Sequence, residues 1–241
     1  MMNDRTPLSL LLPAALLAIG LAGGGWLAAN GMIKLRTADR YVTVKGSAEK
    51  EVAANLLVWP LAHSVSGNDL AEVQRQLDAN TAQIRDFFIS AGFGEEEIIT
   101  APPRLEDRWV WAYGENRPAE RFRYSNSVTL RTQDVAKAQA VLRRSGELVS
   151  RGILLSGSSD GESNGPEFSY TDLNRIKPTL IAEATAEARK AAEQFAKDSG
   201  ADIGGIRSAN QGVITITERD RGSPQIKTVR VVTTVEYFLK D

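Results

Sequence analysis

The residues best suited to nucleophilic chemistry lie in a glycine-rich stretch of the 241-residue chain. Gly157-Ser158-Ser159-Asp160-Gly161 matches the G-x-S-x-G pattern of serine hydrolases. That pattern works where a helix follows the serine directly and a histidine lies later in the chain. Here a polar loop, residues 156–166, surrounds the serine, and the single histidine, His63, comes earlier. The sequence therefore predicts a polar loop and no catalytic residue.

Two features are candidates for a metal site. Residues 160–165, Asp-Gly-Glu-Ser-Asn-Gly, resemble the start of a calcium loop, but the twelfth position, a glutamate in such loops, is Thr171. His63 lies among apolar residues, and the chain has no cysteine, so a transition metal there would depend on carboxylates alone. We therefore expect no metal and no cofactor, and we interpret His63 as a buried histidine with satisfied hydrogen bonds.

Aromatic and arginine side chains alternate on two predicted strands, which we call the Trp/Arg hairpin. Acidic neighbours neutralise most of its arginines, and the net charge of −1 argues against nucleic acid. Because Trp, Tyr and Arg are enriched at interaction hot spots, we predict a contact surface for a second copy or another partner, with core packing as the alternative. The predicted interface residues are Trp109, Trp111, Tyr113, Phe122, Tyr124, Arg108 and Arg121.

A long helix within Leu173–Gly204 organises the rest of the chain, and Gly200 is the candidate for its C-terminal stop. Larger apolar residues, Leu180, Ile181 and Phe195, flank a stripe of alanines that recur every four positions. Residues four apart lie one above the other on a helix, so this stripe lets the helix approach a β-sheet closely. The alanines of the stripe are Ala184, Ala188, Ala192 and Ala196.

The remaining periodicities predict an α+β fold with a largely antiparallel sheet and three helices, in the order ββαββαβαββ. Residues 50–170 follow the split β-α-β pattern. We expect strands and helices over the following ranges: strands 41–45 and 51–65, a helix to about residue 91, a hairpin 98–113/121–131, a helix 135–149, short strands 153–155 and 168–170, and a hairpin 213–217/227–239.

The N-terminal residues 8–33 carry no charge. As a helix these 26 residues would span about 39 Å, more than the ~30 Å hydrocarbon core of a bilayer. We therefore predict a transmembrane signal anchor within residues 1–35, followed by a domain over residues 36–241. A cleaved signal peptide is the alternative.

Several segments together resemble the SIMPL-domain family, which includes YggE-like proteins of the bacterial envelope. They are residues 42–46 (VTVKG), residues 59–61 (WPL), residues 173–178 (LNRIKP), the alanine helix, and residues 230–239 (RVVTTVEYFL). Within that family the chain is most similar to a membrane-anchored proteobacterial branch.

The resemblance implies a non-enzymatic protein in the bacterial inner membrane, single-pass, with its C-terminal domain in the periplasm. It also implies self-association into homo-oligomers and a link to envelope or oxidative stress tolerance. The alternative is a periplasmic ligand- or partner-binding module that uses the 156–166 loop and the Trp/Arg hairpin.

Overall fold

The computed structural model of the protein describes residues 8–37, 40–110, 112, 117–155 and 165–240. Its helices are α1 (Leu8–Thr37), α2 (Leu70–Ser90), α3 (Val135–Leu142), α4 (Gly146–Ser150) and α5 (Leu173–Asp198). Its strands are β1 (Tyr41–Ala53), β2 (Leu56–Gly67), β3 (Ile98–Thr100), β4 (Arg104–Asp107), β5 (Phe122–Thr132), β6 (Glu167–Ser169), β7 (Asp202–Gln211), β8 (Thr215–Glu218) and β9 (Ile226–Lys240). The predicted α+β class with antiparallel sheets is confirmed.

Helix α1 carries its large apolar side chains in exposed positions. Leu16, Ile19 and Trp26 are 66 %, 69 % and 68 % exposed. In the described part of the chain, no helix combines the length and the apolar character needed to cross a membrane. The transmembrane helix predicted over residues 8–33 is therefore not confirmed.

The fold divides into two compact units. Unit 1 comprises the described residues up to Ala48, Thr179–Val213, and those from Val231 onward. Unit 2 comprises the described residues of Glu49–Pro178 and of Ile214–Arg230.

Unit 1 is built on the alanine stripe of α5. Ala188 and Ala192 are fully buried against two valines of β1, Val42 and Val44, and against Val235 of β9. The sheet order in this unit is β1-β9-β7. The predicted packing of the stripe on a sheet is therefore confirmed. Because the alanine side chains are small, the α5 backbone lies close to the sheet, and many main-chain and valine atoms make dispersion contacts.

Gly46 marks the closest approach between β1 and α5. A Cβ atom placed on Gly46 would collide with the main chain of Ala184 and Ala188, and it would lie 2.9 Å from Cα of Ala188. We predicted separate strands over residues 41–45 and 51–65, and the break between them is wrong, because β1 continues through Gly46 to Ala53. This glycine is needed for the contact with the helix rather than for a turn.

Helix α5 ends at the candidate stop, Gly200, and does not extend to Gly204. Gly200, at φ +68°, ends the helix: its N–H donates to the Lys197 carbonyl (3.2 Å), and the N–H of Ala201 donates to the Ala196 carbonyl (2.9 Å). The predicted helical residues up to Gly204 instead begin β7, which pairs antiparallel with β9. Phe195 is 61 % exposed, because it lies about 100° around the helix from Ala196.

Unit 2 contains the split β-α-β arrangement. Its sheet order is β3-β5-β2-β6, with β4 also pairing with β5. Strand β5 is antiparallel to both β2 and β3 and lies between them, which confirms the predicted pattern. Trp59 of β2 packs edge-on against Phe88 of α2, with ring centroids 5.4 Å apart, within a large apolar core.

Two predicted elements of unit 2 are each broken in two. The predicted strand over residues 98–113 is interrupted at Pro102-Pro103, since proline has no N–H to donate to a ladder, and it ends at Asp107. The predicted helix over residues 135–149 becomes α3 and α4, because a tight turn at residues 143–145 precedes Gly146. The described residues after α1 therefore hold four helices where we predicted three.

His63 is buried in unit 2 with no exposed surface. Its Nε2 lies 2.9 Å from Oγ1 of Thr81, and the Thr81 hydroxyl donates to the Leu77 carbonyl at 2.8 Å. Since a hydroxyl has one hydrogen, which Thr81 donates to Leu77, the Thr81 oxygen accepts from Nε2–H of His63. Burial lowers the pKa of His63 from 6.5, while the Leu61 carbonyl, 3.3 Å from Nδ1, opposes that shift. The structural interpretation of this histidine is confirmed.

Gly46→Ala is expected to lower the free energy of unfolding by about 3 kcal/mol, because the added methyl meets rigid main chain on α5. The matched control is Gly205→Ala on β7 of the same unit, where no atom lies within 4 Å of the added Cβ. Urea titration followed by circular dichroism measures both variants. Equal midpoints for the two variants would contradict the close contact.

Acidification below pH 6.5 is expected to destabilise the protein through His63. Because its folded-state pKa is lowered, the unfolded chain binds the proton first as the pH falls, and the folded state loses stability until its own pKa is reached. His63→Gln should flatten this dependence between the folded-state pKa and 6.5. Thermal melting of both proteins across that window tests it, and parallel curves would refute it.

Candidate functional site

The predicted Trp/Arg hairpin folds into a compact cluster in unit 2, at the ends of β4 and β5. Asp107, the last residue of β4, pairs across the sheet with Phe122, the first residue of β5. The N–H of Arg108 donates to the Arg121 carbonyl at 2.8 Å and extends the ladder by one bond. The members of this group, which we call the Trp–Arg cluster, are Asp107, Trp109, Arg117, Arg121 and Phe122.

The Asp107 carboxylate organises the cluster. Its Oδ2 accepts hydrogen bonds from Nε and Nη2 of Arg121 at 3.0 and 2.8 Å. Its Oδ1 accepts from the Trp109 N–H at 3.1 Å, which fixes the turn after β4. The hydrogen bond from Arg121 lowers the pKa of Asp107, and the same bond raises the pKa of Arg121. Asp107 and Arg121 therefore stay ionised, and their charged groups are bonded to each other.

The Trp109 ring is held by contacts within the cluster. Its Nε1–H donates to the Pro118 carbonyl at 2.9 Å. The guanidinium carbons of Arg117 and Arg121 lie 5.7 and 5.6 Å from its ring centroid, and that of Arg121 lies 4.8 Å from the Phe122 ring. Such cation–π contacts contribute about 0.5–1 kcal/mol each at exposed sites. The two arginines therefore stabilise the positions of the aromatic rings in addition to carrying charge.

Asn68 ties the cluster to the start of α2. Its side-chain N–H donates to the Ala119 carbonyl at 3.1 Å, and its Oδ1 accepts from the Arg121 N–H at 2.9 Å. Asn68 and Asp69 are both of residue types that cap helices. Asp69 alone does so, by accepting from the N–H groups of Ala71 and Glu72. Two consecutive capping-type residues before one helix were the signal that one of them binds elsewhere.

The structure brings together some of the predicted interface residues. Trp109, Arg121 and Phe122 are in contact, with Arg108 beside them in the turn. Tyr124 lies two residues along β5 from Phe122, paired with Leu105 on one side and Val65 on the other. Trp109 follows the end of β4 rather than occupying a strand, so the predicted shared strand face is wrong for it. Trp111 and Tyr113 lie outside the described residues.

The exposed part of this region is apolar and lies beside the cluster. Leu105 and Val110 are 46 % and 57 % exposed, whereas Trp109 and Phe122 are half-buried. An exposed apolar margin beside a cluster held by hydrogen bonds and cation–π contacts is suited to contact with another surface. The interface assignment itself stays a prediction.

The structure tests only some of the sequence candidates for metal binding and nucleophilic chemistry. In the part of the chain that the structure describes, no group of three or more His, Cys, Asp or Glu side chains could hold a metal ion. The G-x-S-x-G motif and the calcium-like segment fall mostly in residues 156–164, which lie outside the described residues.

Comparison with known proteins identifies a family. Residues 42–237 match the family model of SIMPL, described as a protein of unknown function (DUF541). No curated protein matches the chain at a significant level. The family match begins within β1 and ends within β9, so it spans both compact units. The chain therefore belongs to the SIMPL family.

Proposed function

We propose that this protein is a non-enzymatic, membrane-anchored component of the bacterial cell envelope that self-associates. Self-association would occur through the open edge of β1, and this edge is the observation that carries the proposal. An edge strand presents unpaired N–H and C=O groups, which are a ready template for a strand from another chain.

The edge strands of the described structure differ in how readily a strand from another chain could pair with them. Strand β7 carries register shifts on both sides of Ile206, and such bulges disrupt an edge. On the other sheet, β6 has only three residues, and β3 and β4 are short and separated by Pro102-Pro103. By contrast, residues 41–48 of β1 alternate regularly between exposed and buried side chains. Among these edges, β1 is the best suited to a second copy.

The side chains of β1 also suit such pairing. Val42 and Val44 point towards α5, while Thr43, Lys45 and Ser47 occupy the exposed positions between them. Antiparallel addition of a second β1 would extend the sheet by main-chain hydrogen bonds, without displacing the buried valines. Two copies related by a twofold axis would each contribute the same edge.

The titratable groups with lowered pKa values support a non-enzymatic role. Asp107, Glu147 and Asp220 each pair with an arginine whose hydrogen bonds lower the pKa of the carboxyl. A carboxylate held ionised in this way is a poor proton donor near neutral pH. His63 is buried against Thr81, away from solvent.

The membrane anchor is supported by the N-terminal sequence. Residues 8–33 are uncharged, and the backbone of residues 8–37 is helical. Exposed leucine, isoleucine and tryptophan side chains on this helix need an apolar environment, which a bilayer provides. We propose a single pass through the inner membrane, with the C-terminal domain in the periplasm. The implied link to envelope or oxidative stress tolerance also stays a proposal.

A partner-binding module remains the alternative. It would use the 156–166 loop, of which residues 156–164 lie outside the described residues, together with the Trp–Arg cluster. In that reading Leu105 and Val110, rather than the engaged Trp109 ring, would form the contact.

Disulfide cross-linking tests self-association and location together, because the chain has no cysteine of its own. Thr43→Cys, Lys45→Cys and Ser47→Cys each place one thiol on the exposed face of β1. Near a twofold axis, paired Cα atoms come within the ~4.4–6.8 Å that a disulfide requires. We expect a dimer band for one of these variants on a non-reducing gel, both in cells and after mild oxidation of the purified full chain.

Gln74→Cys, on the exposed surface of α2, is the matched control and should stay monomeric. Equal or absent cross-linking at all four positions, with a monomer mass by light scattering, would overturn self-association through β1. Cross-linking of the purified chain without cross-linking in cells would instead contradict the periplasmic location, since disulfides persist in oxidising compartments.

A further inference from the structure

Three segments of unit 2 line an open groove on its surface. Helix α3 contributes one wall, the residues around β6 contribute a second, and the connection between β8 and β9 contributes a third. Its volume is about 470 Å³, within the range of small-molecule sites.

The walls of this groove are apolar and rigid. Pro166 and Pro224 contribute half-buried rings, and Leu142 of α3 is half-buried beside them. Phe168 of β6 is buried, with 5 % of its surface exposed, and belongs to the core of unit 2. Proline rings and a core phenylalanine have little conformational freedom to lose on binding, so these walls are preorganised for a flat apolar body.

Three polar side chains reach the same groove: Arg143, Gln139 and Gln225. Among the described residues, none of them has a side-chain hydrogen bond or an ion pair. The main chain of Gln225 is nevertheless fixed, because its carbonyl accepts from the Ala54 N–H at 2.8 Å. The groove therefore presents one guanidinium and two carboxamides whose hydrogen-bonding groups are available to a ligand.

The charge of the groove selects the ligand class. Among the residues that the structure describes, no acidic side chain lines the groove, so Arg143 gives this lining a positive charge. The side chain of the next residue, Arg144, is already engaged in an ion pair, because its guanidinium binds the Glu147 carboxylate at 2.8 Å. An arginine fork bonds a carboxylate in bidentate geometry, and the glutamine N–H groups can donate to the same oxygens.

We propose that this groove binds a small organic acid, with its carboxylate on Arg143 and its flat apolar part against Pro166, Pro224 and Phe168. The site lies in unit 2 and is independent of the β1 edge. Gln139 and Gln225 orient the carboxylate, and the apolar walls contact the apolar part. Binding is non-covalent and requires no cofactor.

The test titrates the full chain with 2-naphthoate and with its neutral isostere 2-naphthamide, by calorimetry. We expect 2-naphthoate to bind with at least about tenfold higher affinity than the amide, because only the acid forms the charge-assisted pair. Arg143→Gln should weaken 2-naphthoate binding by about tenfold and leave 2-naphthamide binding unchanged. Arg131→Gln, at an exposed arginine of β5 outside the groove, is the matched control and should bind like the wild type.

Circular dichroism of each variant establishes that it is folded. Gln139→Ala is a second, milder variant, which removes one of the two carboxamides of the groove and keeps Arg143. Any adsorption to α1 or to detergent is common to all variants and cancels in the comparison. Equal affinities for the acid and the amide, or equal affinities for wild type and Arg143→Gln, would overturn the proposal. Binding of a peptide with a free C-terminal carboxylate, without binding of 2-naphthoate, would overturn it as well.

Discussion

The backbone contact between β1 and α5 is the constraint on which unit 1 depends. Two main chains approach so closely that position 46 has no room for a Cβ, and the facing helix positions carry only methyl groups. A contact of this kind derives its stability from many short-range dispersion contacts rather than from a few large side chains. It also leaves β1 regular along its length, so its outer edge keeps a continuous row of main-chain hydrogen-bonding groups.

The features that the sequence alone could predict are those with a short period. Alanines four apart predicted the buried face of α5, and the hydrophobic periodicities predicted the split β-α-β order of unit 2. The features it could not predict depend on partners far along the chain. A glycine such as Gly46 usually indicates a turn, and its real partner lies about 140 residues away, so local pattern could not reveal it. Strand β7 has only two β-branched residues, Ile203 and Ile206, among glycine, serine and asparagine, and it is a strand because β9 pairs with it.

The candidate site was predictable in composition but not in geometry. Aromatic and arginine residues indicated that the region around Trp109 forms one cluster, and the structure confirms that Trp109, Arg121 and Phe122 meet. Alternation along a strand predicted a shared outward face, whereas the chain turns after Asp107 and the indole is held by the Pro118 carbonyl. That arrangement makes the cluster a rigid corner. We therefore propose contact functions for two other surfaces, each considered within its own unit: the edge of β1 in unit 1 and the groove around Arg143 in unit 2.

The most direct measurement of the helix–sheet contact compares two leucine substitutions on adjacent residues of α5. Ala188 faces β1 with no exposed surface, whereas the Glu187 side chain is 52 % exposed and pairs with Lys190. We predict that Ala188→Leu lowers the free energy of unfolding by about 3 kcal/mol or more, because three added carbons have no space, while Glu187→Leu changes it by less than about 0.5 kcal/mol. Chemical denaturation of both variants provides the values. An Ala188→Leu protein as stable as Glu187→Leu would contradict the close packing of α5 on β1.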